Sequence, residues 1–179
     1  MCLPYLRLQR VEPFTLLSPR LGGEDIWSCE TYDETAHYLK LIYPEGEIDF
    51  IVSGSITDLP VESKIIDMGE VRPGTSHTIN VEHPVEIAIK KLHYRGTMLK
   101  IRDVFDIAVV DSLFSEELRD NLRYVSHLKQ GILERLSVIS EEFLHQELDE
   151  LAIADEWRSL AATCLQRVKE IAEAIPEIP

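Results

Sequence analysis

The sequence predicts an α+β protein in which a small β-sheet with a hairpin is followed by a helical bundle. Turn residues and strand-like patterns concentrate in residues 1–83, whereas residues 84–179 show the apolar spacing of helices. With 179 residues, 45% of them hydrophobic, the chain is long enough to form one compact domain with a core. We therefore expect a β-rich lobe over residues 1–83 and a helical lobe over residues 84–179.

The strongest hairpin pattern in the β-rich lobe is HYLKLIYPEGEIDFIVSGS. Strand-like runs over Tyr38–Tyr43 and Glu47–Val52 flank Pro44-Glu45-Gly46, which supplies turn residues. Further along the chain, SKIIDMGEVRPGTSHTINV predicts two short strands around a turn at Pro73-Gly74. The lobe is therefore predicted to contain a small sheet.

The helical lobe is predicted to begin at EHPVEIAIKKLHYRG. Pro84 suits the first turn of a helix, where its missing N–H costs no hydrogen bond, and Gly96 is expected to end this helix. A second helix should run from about Leu99 to Leu113, and Ser115 is a good N-cap for a third. Helical spacing of apolar residues then continues to Pro176.

The net charge of −14 argues against broad, sequence-independent binding to nucleic acid, because such binding draws its affinity from neutralised phosphates. Most of the acidic residues after position 110 are expected to form the solvated face of the bundle. Five of the 18 basic residues nevertheless lie within thirteen positions, at Lys90, Lys91, Arg95, Lys100 and Arg102. This local basic segment favours binding of a phosphate group.

Neither a membrane span nor a secretory signal is indicated by the sequence. It has no run of about 18 uncharged apolar residues, and the opening MCLPYLRLQR has Pro and Arg where a signal peptide is apolar. The cysteines Cys2, Cys29 and Cys164 are widely spaced without a C-x-x-C pair, which predicts reduced thiols. We therefore expect a cytoplasmic protein with no membrane partner.

The segment LKIRDVFDIAVV brings three polar residues to the start of an apolar helix. Asp103 and Asp106 share a helix face, and Arg102 lies one turn before Asp106. A buried carboxylate needs a cation or several hydrogen-bond donors, and spacing alone favours an intrahelical pair of Arg102 with Asp106. Lys91, on the preceding helix, is either a point charge for a phosphate or a solvated lysine whose stem covers apolar surface. Spacing alone favours the solvated lysine.

Taken together, VEIAIKKLHYRGTMLKIRDVFDIAVV resembles a pattern of the nucleotidyltransferase-like toxins of the abortive-infection AbiEii/AbiGii type. That pattern is E-I-x-A-x-K-L, followed after a short gap by R-D-x-x-D. Its first part is matched by Glu86, Ile87, Lys91 and Leu92, and its second part by Arg102, Asp103, Asp106 and Ile107. The hairpin upstream is similar to the paired strands that precede the pattern in this family.

The resemblance implies a toxin–antitoxin protein with a nucleotidyltransferase fold. Such an enzyme moves a nucleotide from a nucleoside triphosphate (NTP) to an acceptor such as RNA, with Mg²⁺ as cofactor and a protein antitoxin as partner. The implied site residues are Lys91 and Arg102 for the phosphates, Asp49 and Asp103 for catalysis, Asp49 also for the metal, and Asp106 and Glu86 for structural support. From the residues alone, Asp49 is equally well a hairpin aspartate that faces solvent.

One part of the family pattern, a Gly-Ser or Gly-Gly turn followed by Asp-x-Asp, is not found. In RLGGEDIW, Gly22-Gly23 is followed directly by Glu24-Asp25, and Gly54-Ser55 is followed by Asp67 without a second carboxylate two positions later. We therefore expect an incomplete lobe or a degenerate metal site, and enzymatic activity stays open.

Other catalytic patterns, including the P-loop, G-x-G-x-x-G, G-x-S-x-G and close histidine ligand pairs, are also missing from the sequence. The alternative to a nucleotidyltransferase is a non-catalytic binding or scaffold protein. Such a protein would present its acidic helical bundle to a protein partner. The two classes differ in whether the chain binds NTP.

Overall fold

A computed structural model of the chain describes residues 31–35, 38–43, 46–51, 53–67, 74 and 76–177. The chain forms two compact units. The described strands belong to one unit, and the other combines the short segment Ile56–Leu59 with the helices that follow His83. This arrangement confirms the predicted α+β class, a small sheet followed by a helical part.

The strand unit contains a three-stranded antiparallel sheet with the strand order β1-β2-β3. Its strands are β1 (Thr31–Thr35), β2 (Tyr38–Tyr43) and β3 (Gly46–Ile51). The predicted hairpin is confirmed, since β2 and β3 pair from Tyr43 opposite Gly46 to Tyr38 opposite Ile51. Its predicted turn residues Pro44 and Glu45, and the predicted strand end Val52, lie outside the described residues. The glycine pair of RLGGEDIW lies outside them too.

A second, two-stranded antiparallel sheet consists of β4 (Glu62–Asp67) and β5 (Ser76–Val81). Two short strands are predicted for this part of the sequence, and β4 is exposed along its whole length. Of the predicted turn, Pro73 lies outside the described residues. Gly74 has a φ of 77°, a left-handed conformation that glycine adopts without a steric penalty.

The described part of the helical unit contains six α-helices. They are α1 (Pro84–Arg95), α2 (Ile101–Asn121), α3 (Lys129–Ser137), α4 (Glu141–Asp149), α5 (Arg158–Ala161) and α6 (Cys164–Glu173). Short 3-10 segments lie at Gly96–Met98, Leu122–Leu128 and Asp155–Trp157. Apolar side chains from all of these α-helices except α5 share one buried core. In the part of the chain that the structure describes, no helix has the length and apolar character needed to cross a membrane.

Helix α2 extends beyond the predicted end at Leu113 and contains a break. Phe114 has φ −138° and ψ 44°, which are not helical angles, and the helix continues after it to Asn121. The break falls between the predicted end of one helix and the predicted N-cap Ser115 of the next. The Ser115 hydroxyl donates a hydrogen bond to the carboxylate of Asp111 at 3.2 Å. This contact links the two parts of α2 across the break.

Helix α1 ends at Arg95, directly before the glycine that is predicted to stop it. Gly96 has a right-handed helical conformation, with φ −49° and ψ −42°. A Cβ atom at this position would lie only 2.8 Å from Cγ1 of Ile132 on α3. Glycine is therefore needed here because α3 approaches the backbone closely, and not because the chain reverses through a left-handed residue.

Candidate functional site

The candidate site lies where α1 and α2 pack against each other. The two helices are joined by residues 96–100 and contact one another. Lys91 lies on α1, and Asp103 and Asp106 lie on the first turns of α2. We call Lys91, Arg95, Asp103 and Asp106 the Lys91 cluster.

Lys91 holds both aspartates of the cluster. Its Nζ donates a hydrogen bond to Oδ1 of Asp103 at 2.8 Å and another to Oδ2 of Asp106 at 2.7 Å. The side chain of Lys91 is 11% exposed, and those of Asp103 and Asp106 are 2% and 22% exposed. Lys91 is therefore a largely buried ammonium between two carboxylates, and not the solvated lysine that spacing favours.

Asp103 is the most constrained carboxylate of the cluster. Its Oδ1 also accepts a hydrogen bond from Nη1 of Arg95 at 3.2 Å, and its Oδ2 accepts one from the backbone N–H of Lys100 at 3.2 Å. Lys100 is the N-cap residue of α2, so this last contact satisfies one of the free N–H groups at the helix start. Both carboxylate oxygens of Asp103 are thus occupied by protein donors.

The electrostatics of the cluster keep Asp103 and Lys91 charged. Burial raises the pKa of Asp103, but the hydrogen bond and charge of Lys91, the N–H of Lys100 and the charge of Arg95 together bring it below its usual value. Burial lowers the pKa of Lys91, but the two aspartates outweigh this and raise it above its usual value. The buried ion pair therefore persists at neutral pH.

Arg102, the second predicted phosphate ligand, lies on the first turn of α2 and is exposed. Asp106 accepts a hydrogen bond from Lys91 on the neighbouring helix, and its pairing with Arg102, which spacing favours, stays a prediction. Helical periodicity reports only neighbours within one helix, so it carries no information about a contact between helices. The one signal for this contact is the short connection, which predicts that α1 and α2 are adjacent.

Glu86 lies one turn before the cluster on α1 and is buried. Its carboxylate accepts hydrogen bonds from the backbone N–H groups of Ile56 and Thr57, at 2.8 and 2.9 Å, and from the hydroxyl of Thr57 at 2.6 Å. Burial raises the pKa of Glu86, but these donors and the charge of Lys90 bring it below its usual value. Glu86 thus holds the segment Ile56–Leu59 against α1.

Asp49 lies on β3, in the strand unit, opposite Lys40 in the β2–β3 pairing. Its Oδ1 is 3.7 Å from Nζ of Lys40, which also donates a hydrogen bond to Glu47 at 2.6 Å. Across the described residues, no group of three or more His, Cys, Asp or Glu side chains could hold a metal ion.

A second ion pair with a buried carboxylate was not expected from the sequence. Asp111, in the middle of α2, accepts a hydrogen bond from Nε of Arg167 on α6, 56 positions away. The carboxylate is buried, and the contact ties the last described helix to the helix that carries two members of the Lys91 cluster. No local sequence signal predicts a contact over this separation.

The profile of a family described as nucleotidyl transferase AbiEii toxin, Type IV TA system, matches residues 28–177. The chain belongs to this family. Comparison with curated proteins and with solved structures gives no match. The family match confirms the resemblance based on the motif, and it makes the chain a nucleotidyltransferase-like protein of the toxin–antitoxin type. It also spans every residue of the predicted site, from Asp49 to Asp106.

Proposed function

We propose that this AbiEii-family protein binds an NTP at the Lys91 cluster and transfers a nucleotide to an acceptor such as RNA. It would do so as a cytoplasmic toxin that a protein antitoxin restrains. One observation carries this proposal: Lys91 is hydrogen-bonded to both Asp103 and Asp106, so the two halves of the family pattern form one charged cluster.

Lys91 is the proposed phosphate ligand because of the donors that its ammonium group has. A lysine ammonium has three N–H donors, and the two aspartates use two of them. The third donor is suited to a phosphate oxygen, which a lysine binds as a point charge. The exposed Arg102 at the start of α2 supplies a second cation for the same triphosphate.

We assign Asp103 to positioning, in place of the catalytic role that the resemblance implies. Its side chain is buried, and both of its oxygens already accept hydrogen bonds from the protein. Asp106 is more exposed and shares the same lysine, which supports a direct role for Asp106 at the substrate. Asp49 stays a predicted catalytic residue and metal ligand. In this proposal Mg²⁺ enters bound to the triphosphate.

The test is transfer of label from each of the four NTPs, labelled at the α-phosphate and supplied with Mg²⁺, to total cellular RNA. Lys91→Met, which keeps the length of the side chain but removes its charge, is expected to lower transfer about 100-fold. The matched control is Lys90→Met, because Lys90 carries the same charge on the preceding residue but its Nζ lies 3.4 Å from Oε1 of Glu86. Transfer by this control is expected to stay close to that of the wild type.

Equal loss in the two lysine variants would show that general charge on α1 matters and not the cluster. If the wild type transfers no label from any of the four nucleotides and binds none of them, the binding or scaffold alternative is favoured.

A further inference from the structure

The connection between α1 and α2 is tightly packed against α3. A Cβ at Gly96 would lie 2.8 Å from Cγ1 of Ile132, and a Cβ at Gly131 would lie 2.7 Å from Cγ2 of Thr97. Each glycine thus makes room for a side chain of the opposite segment. Because any larger residue at either position would force a shift, α3 and the connection are held at close range.

Arg135, on α3, binds the backbone of this connection. Its Nε and Nη2 both donate hydrogen bonds to the carbonyl oxygen of Leu99, at 2.9 and 2.8 Å. The side chain of Leu99 is fully buried, so this residue is anchored on both its side-chain and its carbonyl sides. Two donors from one rigid guanidinium fix the direction of a carbonyl more closely than a single donor does.

The carbonyl of Leu99 and the N–H of Lys100 belong to the same peptide unit. This unit is planar, so a hydrogen bond that orients its oxygen also orients its N–H. The N–H of Lys100 donates to Oδ2 of Asp103, and Oδ1 of Asp103 accepts from Lys91. A continuous series of hydrogen bonds therefore runs from Arg135 through one peptide plane and Asp103 to Lys91.

We propose that Arg135 is a positioning residue for the Lys91 cluster: it fixes the Leu99–Lys100 peptide plane and thereby keeps Asp103 where it holds Lys91. The consequence for NTP binding rests on the function proposed above, whereas the consequence for the geometry of Asp103 does not. An arginine that only stabilises the packing of α3 would affect neither Asp103 nor Lys91 specifically.

The full chain carrying Arg135→Met or Arg135→Lys tests this role. The first readout is the titration of the Asp103 carboxyl carbon by NMR. In Arg135→Met the pKa of Asp103 is expected to rise toward its usual value, because the Lys100 and Lys91 donors that lower it are loosened. Arg135→Lys keeps a donor and is expected to restore part of the wild-type titration.

The second readout is the affinity for each NTP with Mg²⁺, measured by calorimetry. Arg135→Met is expected to weaken binding about tenfold or more, as is typical when a residue that orients a ligand is removed. The matched control is Arg167→Met, which removes an arginine that ties α6 to α2 through Asp111. If this control lowers the melting temperature by a similar amount, it should still leave both the Asp103 titration and the NTP affinity unchanged.

The proposal is overturned if Arg135→Met titrates like the wild type at Asp103, or if Arg167→Met shifts Asp103 by the same amount. If Arg135→Met does not fold, Arg135→Lys decides the point, since an unchanged Asp103 titration in that folded variant also overturns the proposal. If the wild type binds no NTP, the proposed function fails, and the titration alone then decides the role of Arg135.

Discussion

Among the residues that the structure describes, Lys91 in one unit and Lys40 in the other are each paired with two carboxylates. In the Lys91 cluster, the lysine and its aspartates are 11%, 2% and 22% exposed. In what we call the Lys40 cluster, Lys40, Glu47 and Asp49 are 25%, 54% and 44% exposed. The same combination of charges therefore occurs once largely buried and once largely in solvent.

The two clusters also differ in how the lysine and its carboxylates are brought together. The partners of Lys40 follow from the β2–β3 register, which places Asp49 opposite Lys40 and Glu47 opposite the residue two positions further along, Ile42. Those of Lys91 belong to another helix, and one of them, Asp103, also accepts a hydrogen bond from the N–H of the Leu99–Lys100 peptide. Burial strengthens the interaction between charges and makes the loss of one partner costly, whereas exposed ion pairs contribute little. The comparison thus predicts large effects in one cluster and small effects in the other.

The largest expected effect is that of Asp103→Asn, which leaves Lys91 with one carboxylate in a buried site. We expect the free energy of unfolding to fall by about 3 to 5 kcal/mol, as measured by urea denaturation. The matched variant Asp49→Asn in the Lys40 cluster should have the same urea midpoint of unfolding as the wild type. Equal effects of the two substitutions would contradict the contrast between the clusters.

Glu86→Gln is expected to have the next largest effect. The substitution replaces one acceptor oxygen by an amide group that faces the donors of Ile56 and Thr57, and it removes the charge. A loss of about 2 kcal/mol in the free energy of unfolding follows from the strength of hydrogen bonds to charged groups. The control is Glu47→Gln, in the exposed cluster, which should cost nothing measurable. A neutral result for Glu86→Gln would show that the contact with the 56–59 segment does not stabilise the unit.

Asp106 is more exposed than Asp103, so its coupling to Lys91 should be smaller. A double-mutant cycle of Lys91→Met with Asp106→Asn is expected to give a coupling of about 1 to 2 kcal/mol. The parallel cycle of Arg102→Met with Asp106→Asn should give a smaller value, because Arg102 is exposed and exposed ion pairs contribute little. A larger coupling for Arg102 would reverse the assignment of the principal partner.

The smallest expected effect is on the pH dependence of stability. Because the pKa values of Asp103 and Glu86 lie below their usual range in the folded state, their contribution to stability is complete above about pH 4 and is lost as the pH falls further. Acid titration of the free energy of unfolding should therefore be shallower for Asp103→Asn than for wild type. An Asp103→Asn curve as steep as that of the wild type would contradict this expectation.

Lys91 contributes in a different pH range. Its raised pKa means that its contribution is complete below about pH 10 and is lost only as the pH rises through the folded-state value. Acid titration therefore isolates the carboxylates.

The sequence predicts the elements of the fold well where the signal is local. The β2–β3 hairpin, the start of α1 at Pro84 and the break in α2 near Ser115 all depend on turn, cap or spacing patterns within a few residues. Strand β1 carries no such pattern and was not expected. Gly96 was expected to end α1, whereas the structure shows that Ile132 on α3 lies close to this glycine. The sequence does not reveal this reason, because the contact is tertiary.

The candidate site was only partly accessible from the sequence. The motif singles out Lys91, Asp103 and Asp106, but the spacing rules pair only residues within one helix. The contact between Lys91 and both aspartates requires that α1 and α2 pack at a defined orientation. Arg135 donates hydrogen bonds to the Leu99 carbonyl, 36 positions away, and no local sequence signal predicts this contact.

The buried lysine of the Lys91 cluster is the proposed ligand of a nucleoside triphosphate. The most direct measurement is the calorimetric affinity for ATP, CTP, GTP and UTP with Mg²⁺ in Lys91→Met and in Lys40→Met, which removes the lysine of the exposed cluster. We expect Lys91→Met to abolish detectable binding and Lys40→Met to keep the wild-type affinity. Wild-type affinity in Lys91→Met, or the same loss in both variants, would contradict the claim.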